Sequence, residues 1–148
     1  MLSRIVRAFM RTEVPRISEQ SSLLDARELM RTASVRHLVV MDGPRLAGVV
    51  SQRDLYLLEA LPNAEPERAT VEEAMDSEPY TVSPDASLEE VARYMWTQRC
   101  TSAVVVQGTE VVGIFTTTDA LRALAEILSL ERTQSALETG GSEESAPH

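Results

Sequence analysis

The sequence predicts an α+β fold built from two pseudo-symmetric β-α-β-β-α repeats that share one core. Three observations predict it. The first is an internal duplication at a constant offset of 65 residues: Gly48-Val49-Val50-Ser51-Gln52-Arg53-Asp54 returns as Gly113-Ile114-Phe115-Thr116-Thr117-Thr118-Asp119. Val6/Val71, Met10/Met75, Ser22/Ser87, Leu23/Leu88, Met30/Met95, Val39/Val104, Val40/Val105 and Gly43/Gly108 match at the same offset, and such a repeat decides architecture before any residue is interpreted. The second is that hydrophobic spacing switches between helical and strand patterns within each copy. The third is length: with 148 residues in all, each half alone would be marginal, so the halves are expected to bury their apolar surface together.

The elements follow in order. A short helical lead-in ends at Met10 in the first copy and Met75 in the second. A brief extended segment comes next, around Arg16-Ile17 and Thr81-Val82. A helix then starts at Ser22 or Ser87, where Ser22-x-x-Asp25 and Ser87-x-x-Glu90 place a hydroxyl to accept from an unpaired backbone N–H of the first turn. Leu23, Ala26 and Met30, like Leu88, Val91 and Met95, give that helix one apolar face. The β-branched runs Leu38-Val39-Val40-Met41 and Ala103-Val104-Val105-Val106 read as strands. Each is joined through Asp42-Gly43 or Gln107-Gly108 to a second strand, Leu46–Val50 or Val111–Phe115, as a hairpin. A second helix follows, Asp54–Leu61 or Asp119–Leu128. The expected boundaries are 5–61 for repeat one, 62–69 for a proline-bearing linker and 70–127 for repeat two. Residues 128–148 read as a helical extension of Leu128–Leu137 and then a polar, acidic tail, disordered from Thr139 onward.

Composition narrows the function. Hydrophobic content of 43% and charged content of 25% fit a globular protein. No apolar run approaches the ~20 residues that span a bilayer, and the N-terminus lacks the features of a signal peptide. The net charge of −9 argues against a nucleic acid or an acidic membrane as partner. Residues 1–60 nevertheless hold nine arginines against seven acids, and residues 61–148 hold five against sixteen. That arginine-richer first half is the ground for the least favoured alternative, a nucleic-acid-associated regulator. All 14 basic residues are arginine, which excludes lysine Schiff-base chemistry and a P-loop lysine. One cysteine, Cys100, permits no intrachain disulfide; it reads as a structural thiol and points to a cytoplasmic home. His37 and the terminal His148 leave no zinc constellation, so no metal is expected. No nucleophile is paired with a base, so no enzyme is expected. Glu72-Glu73 and Glu89-Glu90 read as exposed helix faces, and Trp96 and Tyr94 as residues of a core or subunit interface.

The paired G-h-h-[ST]-x-x-D motifs at Gly48–Asp54 and Gly113–Asp119, with the V-x-x-x-M lead-ins Val6–Met10 and Val71–Met75, resemble the cystathionine β-synthase (CBS) domain in tandem, the Bateman module. The resemblance covers roughly residues 5–127. It implies two clefts between the repeats that take adenosine compounds: AMP, ADP or ATP, and less often NAD or S-adenosylmethionine. No cofactor is required. By the resemblance, Asp54 and Asp119 hold ribose hydroxyls, and Ser51 and Thr116 lie near phosphate. Arg16, Ile17 and Leu38, with Thr81, Val82 and Ala103, complete the candidate lining. The pattern departs from the family in one respect: neither Leu38-Val39-Val40 nor Ala103-Val104-Val105 contains the frequent proline.

The residues support those roles on their own chemistry. A hydroxyl at a helix N-terminus lies beside free N–H groups and the positive end of the helix dipole, and a carboxylate can accept from both ribose hydroxyls. Gly48 and Gly113, inside strands, permit close backbone approach. The same Ser51-x-x-Asp54 and Thr116-x-x-Asp119 patterns equally satisfy a structural capping box. Arg53 and Arg16 suit phosphate, or are solvated surface charges; Thr118 and Thr81 stand in their places in repeat two. Site one is therefore expected to prefer the more highly phosphorylated ligand. The module reads as a regulator, with any output running through a partner in trans or through oligomer state, and with a ligand-free interaction scaffold as the alternative. The apolar faces Leu55, Leu58 and Leu121, Leu124, Leu128 make a homodimer the expected assembly.

Overall fold

The apolar runs are bounded by the turns and caps that the sequence places there, and the structure builds its elements from them. This structure is a computed structural model, and it describes residues 4–138. A single 3-10 turn at Val6–Ala8 precedes β1 (Arg16–Ser18), α1 (Leu23–Ala33), β2 (His37–Asp42), β3 (Arg45–Ser51) and α2 (Gln52–Glu59). The second copy repeats the order: α3 (Val71–Ala74), β4 (Thr81–Val82), α4 (Leu88–Gln98), β5 (Ser102–Gln107), β6 (Glu110–Thr116) and α5 (Thr117–Glu138). Ser22 and Ser87 cap α1 and α4 by accepting from Asp25 N and Glu90 N. Both helices end on a left-handed residue, Ser34 (φ 56°) and Arg99 (φ 61°). The predicted helix at Asp119 and the extension beyond Leu128 are one continuous helix of 22 residues, α5. The tail expected to be disordered from Thr139 lies outside the described residues.

Each repeat forms a three-stranded sheet, ordered β1-β2-β3 and β4-β5-β6, with a parallel pair followed by an antiparallel hairpin. Gly43 (φ +61°) and Gly108 (φ +65°) take the first central position of the two hairpin turns. Pro44 follows the first of them with its φ held negative, which is the type II′ pattern that matches strand twist. The central strands are buried on both faces. Leu38, Val40 and Val50 pack with Leu23, Ala26, Met30 and Leu55 beneath the helices of repeat one. On the opposite face of that sheet, Val39 and Val49 meet Val104, Val111 and Ile114 of the second sheet. Strand alternation thus assigns one face to each repeat's own core and the other to the shared core.

The lead-ins trade places. Val6 and Phe9, with 0% and 1% of their surface exposed, pack among Val91, Met95, Phe115 and Ala123 of repeat two. Val71 lies in the core of repeat one with Leu23 and Leu55. Matched backbone hydrogen bonds hold the exchange. Val6 N donates to Ala86 O (3.0 Å) and Arg7 N to Pro84 O (2.8 Å); Val71 N donates to Ser21 O (2.8 Å) and Glu72 N to Glu19 O (3.0 Å). Each lead-in then forms a two-bond bridge to the other repeat's motif strand, Arg11 with Ile114 and Asp76 with Val49, over distances of 2.8–3.1 Å. These bridges are the close approach expected at the motif glycines, and the approaching chain is the other repeat's lead-in. A Cβ on Gly48 would stand 2.3 Å from Asp76 O, and one on Gly113 would stand 2.7 Å from Arg11 O.

Trp96 is 72% exposed and so lies outside the core of this chain. Arg99 covers its ring at 5.9 Å, whereas Tyr94 stacks on Tyr80 at 3.9 Å. Leu121, Leu124 and Leu128 leave an apolar stripe open along α5, and Tyr56 and Leu57 are exposed on α2. Leu55, by contrast, is buried in the core of repeat one.

Gly48→Ala should be the most damaging single-methyl change in the chain, because the clashing atom is backbone and cannot rotate away. A loss of roughly 1–3 kcal/mol or more is expected from overpacking, larger than for Gly113→Ala, in urea unfolding. Phe9→Ala should cost about 3–5 kcal/mol. Amide exchange should place that loss in repeat two, although Phe9 belongs to repeat one in sequence; loss confined to β1–β3 would contradict the exchange.

Candidate functional site

Strand β3 delivers Ser51 to the N-terminus of α2, and β6 delivers Thr116 to that of α5. In repeat one the two motif side chains satisfy each other: Asp54 N donates to Ser51 Oγ (3.1 Å) and Ser51 N donates to Asp54 Oδ2 (2.9 Å). In repeat two Thr116 N and Thr116 Oγ1 both donate to Asp119 Oδ2, at 2.8 and 3.1 Å. The full capping box is therefore present at the first site; at the second only its carboxylate half forms, with Asp119 Oδ2 accepting both from Thr116 N and from the Thr116 hydroxyl. Ser51 keeps its hydroxyl proton for another acceptor, and Asp54 Oδ1 makes no hydrogen bond among the described residues.

The two carboxylates differ in what covers them. Asp54 is half-buried, whereas Asp119 is 2% exposed, the one buried charged residue among the described residues. A buried carboxylate needs a partner. The exchanged lead-in supplies it: Arg11 Nε lies 3.6 Å from Asp119 Oδ1. The position equivalent to Arg11 in the other cleft is Asp76, held on the same kind of bridge and exposed. Sequence reasoning passed over both residues. The signal was present in the aligned lead-ins, where Met10-Arg11 stands against Met75-Asp76, but nothing local shows that each lead-in lands on the other repeat's site.

His37 is a second addition. It pairs with Ser51 across β2–β3 and its Nε2 lies 2.9 Å from Thr101 Oγ1 of repeat two, so it bridges the repeats between the clefts. Burial pushes its imidazole below the ordinary value of 6.5; the Asp54 and Asp119 carboxylates pull it upward and Arg36 opposes them. It is half-buried, with a structural contact and a view of both sites.

The remaining predicted residues divide. Arg53 and Thr118 are exposed on the first turns of α2 and α5, beside the motif hydroxyls. Arg16 is exposed, but its Nη2 donates to Val111 O across the repeat interface at 2.9 Å, which draws the guanidinium into holding the repeats together. Thr81 is exposed and Ile17 is half-buried against the first core. Leu38 and Ala103 are fully buried and Val82 is 9% exposed, so Leu38 and Ala103 offer a cleft only backbone. Cys100 packs beside the second core, and burial first, then Asp76, raises its thiol above the ordinary range, which suits a structural role and not a nucleophile. Among the described residues, no group of three or more His, Cys, Asp and Glu side chains is placed to hold a metal ion, and no helix is long and apolar enough to cross a membrane.

Comparison with known proteins agrees with this geometry. The sequence model of the CBS domain matches residues 6–59 and 71–126. An inosine-5′-monophosphate dehydrogenase of Korarchaeum cryptofilum is 30% identical over 113 residues, covering 76% of this chain and 22% of that enzyme. An A-adding tRNA nucleotidyltransferase of Geobacter sulfurreducens is 32% identical over 104 residues, 69% of this chain and 11% of that one. The chain thus spans a small fraction of both relatives. Among solved structures, a Vibrio cholerae protein assigned to acetoin utilization superposes with a TM-score of 0.76 at 28% identity, covering 87% of this chain and 96% of the other. CBSX2 in complex with AMP superposes with a TM-score of 0.72 at 27% identity, covering 84% and 98%.

The lowered imidazole of His37 has a sign that can be worked out. The unfolded chain takes up that proton near 6.5 and the folded chain only at lower pH. Between the two values the unfolded state binds more protons, so stability rises with pH through that window and is lost as pH falls below about 6.5. His37→Asn should flatten this segment of a melting-temperature profile measured by calorimetry between about pH 5 and 7; an unchanged slope would assign it to other groups.

Proposed function

The chain belongs to the CBS domain family, and from that premise we propose that it is a regulatory module that binds an adenosine nucleotide between its two repeats. The observation that carries this reading is Asp54. Its carboxylate is oriented by the Ser51 backbone N–H at the start of α2, and its other oxygen is free to accept from ribose hydroxyls. The Ser51 hydroxyl, with its proton unspent, lies at the positive end of the same helix, where phosphate is favoured. The AMP complex of CBSX2, 27% identical, supports AMP as a ligand class for this fold. ADP, ATP, NAD and S-adenosylmethionine share the adenosyl group that the site would hold.

The mode of action follows from the exchanged lead-ins. A ligand in either cleft touches elements of both repeats, so it favours one packing of the repeats over another and changes the surface that a partner meets. The role is regulatory rather than catalytic, and the cytoplasm is the compartment proposed. A homodimer is the assembly proposed, on the open leucine stripe of α5 and the exposed Tyr56 and Leu57 of α2. The capping bonds also favour a second reading, a ligand-free interaction scaffold, since they hold a motif side chain at the start of both helices without any ligand.

Titration of the chain with AMP, ADP, ATP, NAD and S-adenosylmethionine separates the two readings. A binding ligand raises the melting temperature with dose, by about 2.7 kcal/mol of stabilisation at a hundredfold excess over Kd. Replacing both motif carboxylates, Asp54→Asn with Asp119→Asn, should abolish the response; no shift with any of the five compounds would leave the scaffold. For assembly, Leu121→Glu with Leu124→Glu should reduce the sedimenting mass to that of one chain. A monomeric parent chain would remove the dimer.

A further inference from the structure

The lead-in exchange places opposite charges at equivalent points of the two clefts. Arg11 is fixed on β6 by its bridge to Ile114, and Asp76 on β3 by its bridge to Val49. Both bridges use two backbone hydrogen bonds, so both residues are held as firmly as strand residues although neither lies in a strand. In the second cleft Asp119 is already matched: Oδ2 takes the Thr116 N–H and hydroxyl, and Oδ1 faces Arg11 Nε. The terminal nitrogens of Arg11 make no hydrogen bond among the described residues, and its side chain is 49% exposed. The cleft therefore presents an aligned guanidinium fork beside a helix N-terminus, a pairing suited to phosphate oxygens. The Thr116 hydroxyl needs only to turn from Asp119 to join it.

The first cleft has the reverse balance. Asp54 has one oxygen free, and Asp76 adds a second carboxylate where Arg11 would be. The Asp76 carboxylate is oriented by accepting from Glu78 N at 2.9 Å. Arg16, which the sequence offered for phosphate here, is drawn to Val111 O. Arg53 and Arg36 are exposed cations at the start of α2, and neither makes an ion pair with Asp54 or Asp76 among the described residues. His37 bridges the repeats, and of the two motif carboxylates Asp54 pulls harder on its imidazole than Asp119.

We propose that the clefts are coded by charge: the second, with Arg11 over Asp119, takes a 5′-phosphorylated adenosine nucleotide, and the first, with Asp76 bridged to the motif strand in the place of Arg11, takes an adenosyl ligand whose 5′ substituent is uncharged or cationic. This rests on the adenosyl-binding reading above and reverses the order expected from Arg53 and Arg16. One chain would then compare the levels of two classes of adenosyl metabolite.

Isothermal titration of the full chain with AMP and with 5′-methylthioadenosine tests it. In the parent, each compound should bind with a stoichiometry of one. Asp119→Asn and Arg11→Ala should weaken AMP at least tenfold and leave methylthioadenosine unchanged, while Asp54→Asn should do the opposite. Because Arg11→Ala leaves Asp119 buried without its cation, Asp76→Arg serves as the second variant. It disturbs only an exposed position and should create a second AMP site. AMP binding that follows Asp54 and ignores Arg11, or an Asp76→Arg variant that still binds one AMP, overturns the charge code and leaves the adenosyl reading standing. No binding of either compound to any variant overturns both.

Discussion

Two backbone bridges, Arg11 to Ile114 and Asp76 to Val49, set where the rest of the chain can go. Each brings a lead-in against the motif strand of the other repeat, close enough that only glycine fits beneath it at Gly48 and Gly113. Once the bridges form, Val6 and Phe9 fill one core and Val71 the other. Neither repeat then has a complete core without a segment from its partner. The shared layer of Val39, Val49, Val104, Val111 and Ile114 joins the sheets from the inside, and the crossed lead-ins join them from the edges. The linkage proposed between the two sites would run through this tie.

The bridges also carry chemistry to the clefts. The motif supplies nearly identical groups to both, a hydroxyl and a carboxylate at a helix N-terminus. What distinguishes the clefts arrives from outside the motif, on segments about a hundred residues or a few tens of residues away along the chain. Asp119 can be buried because Arg11 comes to it; Asp54, with Asp76 in that place, stays half-open to water. The capping role and the ligand role of the motif are compatible, since a hydroxyl that closes an empty helix end can turn to an arriving anion. The proposed binding thus draws on the same few hydrogen bonds that stabilise the two helix starts.

Much of the fold was legible because it is local. Ser22 and Ser87 announce helix starts through a hydroxyl that accepts from the backbone N–H three residues on, and Asp42-Gly43 announces a hairpin through backbone sterics. The doubly buried runs at Leu38–Met41 and Ala103–Val106 follow from continuous β-branched sequence. In the site, Ser51, Asp54, Thr116 and Asp119 were legible because the motif is contiguous. Arg16 was assigned to phosphate because its residue type suits phosphate, but the atom that takes its proton is Val111 O, far along the chain and in a position that no local pattern reveals. His37 entered the reading of the sequence only as one of two histidines, too few for a zinc site. Its contact with Thr101 is structural and joins the repeats; that it also looks toward both aspartates depends on how the repeats dock.

By itself the sequence determined that there are two copies, which elements each contains, where those elements start and stop, and which side chains meet at each helix N-terminus. These depend on steric and hydrogen-bonding preferences that act within a few residues. Only the tertiary structure decided that the lead-ins cross over, that Arg11 and not Asp76 covers a motif carboxylate, and that Leu38 and Ala103 belong to cores. The reason is that those outcomes rest on which surfaces meet at long range. The pleat says which side chains share a face of a strand, but only the docking of one repeat on the other says what that face will touch.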